Sequence, residues 1–139
     1  MPRNVKLKGV MDGRMVRAMD DGEDFGFIPV MLRVDTAATS TATISLTMER
    51  KFTVVDAHAI LKADGGNNSN KVEVLNASTT ITGDMIVGTA GDKDIVRASE
   101  IDDAQMELAA GGTLKVTATD GGGSDLKAMI CYVTGYYHK

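Results

Sequence analysis

The stretch TATISLTM, residues 41–48, alternates polar and apolar side chains at every step. Thr43, Ser45 and Thr47 fall on one side, and Ile44, Leu46 and Met48 on the other. A period of two puts the apolar set on one face of an extended strand. Comparable runs recur at short intervals, each closed by turn-forming residues, and this spacing narrows the possible folds more than any other feature of the chain. FIPVMLRV (27–34) is apolar with Pro29 inside it. Proline cannot donate to a ladder, so this strand is expected at a sheet edge. KVEVLNA (71–77) sets Val72 and Val74 inward against Lys71 and Glu73 outward. STTITG (78–83) is rich in β-branched residues, DMIVG (84–88) fits either a helical turn or a strand, and DIVRASEI (94–101) reads as a strand. DDAQMEL (102–108) is less clear. TLKVTAT (113–119), the loop DGGGSD (120–125) and LKAMICYVTGYY (126–137) read as a closing hairpin. The long run RKFTVVDAHAILKAD (50–64) also reads as a strand, although its Ala-rich centre is compatible with a helix. Alternation there places Val55, Ala57, Ala59 and Leu61 on one face, and Val54, Asp56, His58, Ile60 and Lys62 on the other.

No run is followed by a long amphipathic helix, so βαβ units are not expected. Eight or nine short strands with regular turns point to an all-β sandwich or barrel. The chain has 139 residues, enough for one domain with a core of its own. Aromatic residues are 4% of it and Trp is absent, so that core must be built from Val, Ile, Leu, Met and Ala. The same scarcity argues against a deep aromatic-lined pocket.

The N-terminal 24 residues differ. Residues 1–17 carry five cations against one acid, Asp12, and residues 20–24 then read DDGED. Such a segment buries too little apolar surface to fold alone. Two organisational units are therefore expected, an extended arm over 1–24 and a β-sandwich over 25–139. A weak helical spacing at Val10, Met11, Arg14, Met15 and Ala18 leaves open a short helix formed on docking, beside the simpler reading of a frayed terminus.

Reactive groups are few. Asp56 and His58 share a strand face at i, i+2, but a zinc site needs a third ligand, and a solvated polar pair is the better account. His138, next to the last residue, is expected to be disordered. Cys131 alternates with Met129 and Val133, which suggests a small buried hydrophobe rather than a nucleophile. A single cysteine excludes an intrachain disulfide. DGGGSD lacks the lysine and helix of a P-loop. DDGED lacks the spacing of a calcium loop. The sequons NNS (67–69) and NAS (76–78) are taken as incidental in a chain with no apolar stretch for a secretory signal or a membrane span. With a formal charge of −4, the chain shows no overall basic excess for nucleic acid. No enzymatic activity, cofactor or metal is expected, no nucleic-acid or membrane partner, and synthesis in a reducing cytoplasm.

The segments TVVDAHAILKADGG, KVEVLNASTTITG, IVRASEIDDAQMELAAGGTLKVTATDGG and AMICYVTGYY together resemble the capsid decoration, or cement, proteins of tailed bacteriophages. The shared pattern is a Val-rich opening strand, K-V-E-V with its Asn-Ala and Thr-Thr-Ile-Thr turn, an Ile-Asp-Asp-Ala turn, Leu-Ala-Ala-Gly-Gly-Thr-Leu entering a strand, and a closing Y-V-T-G strand. It covers roughly residues 52–137. The resemblance implies a jelly-roll-like β-sandwich, a homotrimer, and a place on the outside of an icosahedral head, clamping neighbouring major capsid protein subunits. On that expectation the arm docks on the shell. Arg3, Lys6, Lys8, Arg14 and Arg17 would meet acidic capsid surface, while Val5, Leu7, Val10, Met11 and Met15 fill shallow grooves. The alternative is a carbohydrate- or receptor-binding jelly roll of a head fibre or tail. Its aromatic platform would come from Tyr132, Tyr136 and Tyr137 with Phe25, Phe27 and Phe52.

Overall fold

The computed structural model describes residues 27–36, 40–64 and 66–138. All regular structure among them is β: β1 (Phe27–Thr36), β2 (Ala42–Thr47), β3 (Phe52–Leu61), β4 (Lys71–Asn76), β5 (Thr79–Thr80), β6 (Met85–Ile86), β7 (Ile95–Arg97), β8 (Glu107–Leu108), β9 (Thr113–Thr119) and β10 (Met129–His138). They form two antiparallel sheets. Sheet A runs β1-β10-β3-β7, with β8 pairing further along β3, and sheet B runs β2-β9-β4-β5, with β6 pairing further along β4. The short pairs β5/β6 and β7/β8 each fill one interrupted strand position, so the sandwich has eight positions. Chain order alternates between the sheets except at the β4–β5 turn. This is the jelly-roll arrangement.

Alternation writes the core directly. Leu114, Val116 and Ala118 of β9, Val72 and Val74 of β4, and Met129, Cys131 and Val133 of β10 are all buried. The small side chains let the sheets interdigitate. Phe52, which is fully buried, adds an aromatic to the aliphatic core expected from composition, and the Tyr137 ring packs against it at 5.0 Å. Pro29 lies in β1, an edge strand bonded to β10 alone, where a missing N–H costs no ladder bond.

Three expectations are corrected. The first is the closing hairpin. β9 pairs with β2 and β4 in sheet B, whereas β10 pairs with β1 and β3 in sheet A. The DGGGSD loop therefore crosses from one sheet to the other. Two strands close in sequence serve better apart, because each carries an apolar face that the other can cover.

The second is the facing of β3. Thr134 pairs with Asp56 and Gly135 with Val54, so Val55 is the extra residue of a β-bulge. The bulge shifts the alternation by one step. Phe52 and Val54 are buried before it, and Ala57, Ala59 and Leu61 after it, while Val55 is exposed. Gly135 opposite permits this close approach. A Cβ there would run into the Thr53 carbonyl oxygen and the Phe52 ring.

The third is His138. It ends β10 in register with Phe27, its backbone N donates to the Lys51 carbonyl at 2.9 Å, and its Nε2 lies 2.8 Å from Thr53 Oγ1.

The GGNNSN cluster does more than turn the chain. Buried Asn70 donates through Nδ2 to Asp125 Oδ1 at 3.0 Å and accepts the Gly121 N–H at 2.8 Å. Its carbonyl accepts the N–H groups of Val87 and Gly88. One side chain and its backbone thus tie three loops at one end of the sandwich. Elsewhere Asn76 Nδ2 donates to the carbonyls of Gln105 and Glu107, fastening β4 to the turn before β8. Along the far side, Thr82 bridges Ile101 and closes one flank between the sheets.

Candidate docking surface

The outward faces of the two sheets differ in chemistry. On sheet B the outward residues are mostly hydroxylated or charged. Thr43, Ser45 and Thr47 of β2 are exposed. Thr43 Oγ1 meets Thr117 Oγ1 at 3.0 Å, and Lys71 pairs with Asp84 at 3.0 Å and Glu73 at 3.5 Å. These acids raise the pKa of Lys71, the hydrogen bond it donates to Asp84 being the largest cause. Such a face is well hydrated.

The outward face of sheet A is apolar along its middle. The register aligns Asp35, Ile130, Ile60 and Ile95 in one row and Arg33, Tyr132, His58 and Arg97 in the next. Met31, Val55 and Ile95 are 57%, 49% and 55% exposed, and they make up three of the four large hydrophobic side chains exposed among the described residues. Most charges sit on the edge strands or just past the end of β3, Asp56 alone lying within β3, and they are paired. Arg33 reaches Asp35 at 3.2 Å, Lys62 reaches Asp35 at 2.9 Å, and Arg97 reaches Asp56 at 3.2 Å. The Lys62 hydrogen bond, with help from Arg33, holds the Asp35 carboxyl below its usual range. At the end of β3, Lys51 does the same for Glu107 at 2.7 Å. An apolar centre with a paired polar margin is the anatomy of a protein-binding surface.

The reactive candidates take structural places. Asp56 and His58 share the outward face of sheet A as expected. Asp56 turns to Arg97, and the His58 ring stacks on Tyr132 at 5.2 Å and 23°. His58 Nδ1 is buried and has no hydrogen-bond partner among the described residues. A ring held in that way, with Asp56 engaged by Arg97, is not arranged as a base with its orienter. Cys131 is buried, and desolvation pushes its thiol up to about 12. The amide nitrogen of each sequon asparagine is hydrogen-bonded within the fold, Asn67 to the Gly122 carbonyl and Asn76 as above. Among the described residues no group of three or more His, Cys, Asp or Glu is placed to hold a metal ion. No helix among them is long and apolar enough to cross a membrane.

Of the aromatic platform, Phe52 is buried, Tyr137 leans on it from the core side, and Tyr132 and Tyr136 lie on the outward face, while Phe25 and the Phe27 side chain lie outside what the structure describes. The arm residues Arg3, Val5, Lys6, Leu7, Lys8, Val10, Met11, Arg14, Met15 and Arg17 lie outside the described residues. Sequence reasoning misses the outward patch, because alternation groups Val55 with Ala57, Ala59 and Leu61, and Met31 and Ile95 look like any other strand residues. Their register with Tyr132 and Ile60 is set by pairings between distant segments.

No protein-family model matches the chain, and no curated protein sequence does. Solved structures do. A chain of the cyanophage Pam1 capsid asymmetric unit aligns with a TM-score of 0.52 at 14% identity, over 83% of this chain and 88% of that one. A turnip yellow mosaic virus chain aligns at 0.39 and 13% identity, over 81% and 80%. The empty head of the same virus aligns at 0.40 and 14%, over 84% and 82%. At 14% identity the likeness to the cyanophage chain is one of fold. The chain is an all-β jelly-roll sandwich of the kind seen in the cyanophage chain.

Proposed function

We propose that this chain is a structural virion protein that decorates the outside of an icosahedral phage head and stabilises contacts between major capsid protein subunits. The observation that carries the reading is the jelly roll it shares, over most of both chains, with a chain of the Pam1 capsid asymmetric unit. The outward face of sheet A adds support, since it offers area and shape rather than reactive groups. In this role copies associate as homotrimers, and the N-terminal arm reaches over the shell. Arg3, Lys6, Lys8, Arg14 and Arg17 supply positive charge toward acidic capsid surface, with Val5, Leu7, Val10, Met11 and Met15 between them. An arm that orders on binding gains wrapped surface at an entropic cost.

The test is co-sedimentation of the purified protein with undecorated heads, with and without residues 1–24. Binding by the full chain and at least a tenfold loss on deletion are expected. A full chain that stays in the supernatant overturns the role, and equal binding by the truncated chain removes the arm from it.

A further inference from the structure

We propose that the outward face of sheet A is where one copy of this chain meets another. This deepens the proposed role by naming the surface through which copies associate. Three observations carry it.

The first is contrast. Met31, Val55 and Ile95 are exposed on this face, with Ile60, Ile130 and Tyr132 half-buried between them. The opposite sheet presents Thr43, Ser45 and Thr47. A scattered apolar residue needs no explanation, but Ile130, Ile60 and Ile95 aligned across three strands, with Met31, Val55 and Tyr132 on the same face, do.

The second is charge. The chain carries −4 overall, and its acids crowd the connections, as in Asp92 and Asp94, Asp102 and Asp103, and Asp120 and Asp125. Two copies approaching by those ends would repel. On sheet A each acid is already neutralised, Asp35 by Arg33 and Lys62, and Asp56 by Arg97. A face with its charges paired internally can approach a neighbouring copy around a three-fold axis without like charges meeting. It also gives a strongly basic segment such as residues 1–17 nothing to bind.

The third is size. Four strands about 4.8 Å apart, with rises of about 3.4 Å per residue, give a flat footprint of roughly 500 Å². Side chains standing above the sheet enlarge the accessible area toward the roughly 800 Å² that each partner contributes to a standard interface. The association is therefore reversible and concentration-dependent.

Sedimentation velocity across a concentration series tests this on the full chain, comparing wild type with Ile95→Lys, Met31→Lys and a sheet B control, Thr43→Lys. Wild type is expected to reach a multiple of 14.7 kDa. Each sheet A substitution is expected to weaken association at least tenfold with an unchanged melting temperature, and the control is expected to leave it intact. Val55→Cys gives a second readout that does not depend on weakening. Cys131 is buried, so the new thiol is the reactive one, and a short bismaleimide should join two copies. A monomeric wild type, association that survives Ile95→Lys, or failure of Val55→Cys to cross-link overturns the inference. A monomer that still co-sediments with heads, losing that binding on Ile95→Lys, would assign the face to the shell instead. An oligomer that ignores heads would overturn the virion role and leave the self-association standing.

Discussion

Gly135, Asn70 and Cys131 show how much of this fold rests on single side chains. Gly135 faces the bulge, and a methyl group there meets backbone that cannot move without breaking the β3–β10 ladder. Gly135→Ala is expected to cost about 1–3 kcal/mol by overpacking, read as a lowered urea midpoint with an unchanged slope. Asn70→Ala removes a buried side chain that holds the 120–125 loop through both Gly121 and Asp125. Losing both hydrogen bonds together with the buried packing is expected to lower the urea midpoint. Cys131 carries a pH signature. Its folded pKa is raised from 9.0 to about 12 by desolvation, so the unfolded thiol loses its proton first. The stabilisation is complete below pH 9 and falls between pH 9 and 12. Cys131→Ala or Cys131→Val should flatten that alkaline slope in urea titrations at fixed pH. In the native protein the thiol should resist a disulfide reagent until unfolding exposes it.

At the scale of elements, most strands were legible and one was legible in the wrong phase. β4 and β9 follow strict alternation, and their inward residues were readable from sequence. Strict alternation in β3 groups Val55 with Ala57, Ala59 and Leu61, whereas the bulge turns Val54 inward and Val55 outward and leaves Asp56 and His58 where alternation puts them. A bulge is one unpaired residue, and only the partner strand shows where it falls. The two valines separate the readings. Val54→Thr buries a hydroxyl in the core and is expected to cost about 1–3 kcal/mol. Val55→Thr, at an exposed position, is expected to change stability by less than about 0.5 kcal/mol. Equal costs at the two positions would disprove the bulge. β10 is central in sheet A, between β1 and β3. The sequence marked it as a strand, but its apolar pattern equally suits a hairpin with β9. Burying two apolar faces against each other across a sandwich is a choice made by the whole chain.

For the molecule as a whole, nearly every strand pairs with one far away in sequence, as β1 does with β10 and β2 with β9. Closing such long loops before any contact rewards them makes folding slow, and refolding in milliseconds to seconds is expected by stopped-flow after urea dilution. Acid should weaken the fold modestly. The carboxyls of Asp35 and Glu107 are held low by Lys62 and Lys51, and that of Asp125 by Asn70. A lowered folded pKa means their contribution is present above the unfolded value and is lost as pH falls through the folded one. The window therefore lies below about pH 4. Asp35 and Glu107 are exposed and paired with lysines, so salt should reduce their part of the effect, and Asp35→Asn should remove its share.

The sequence by itself determined that this chain is all-β. Alternation and turn chemistry are local, and they specify strands and the inward residues of regular ones. The same locality made Pro29 an edge residue and Cys131 a core residue. Tertiary structure alone decided that β9 and β10 part company, that Val55 points outward, and that His138 is ordered. It also brought Met31, Ile95 and Tyr132 onto one face. Each of these depends on which distant strand lies alongside, and pairing between segments a hundred residues apart leaves no mark in the local pattern of either.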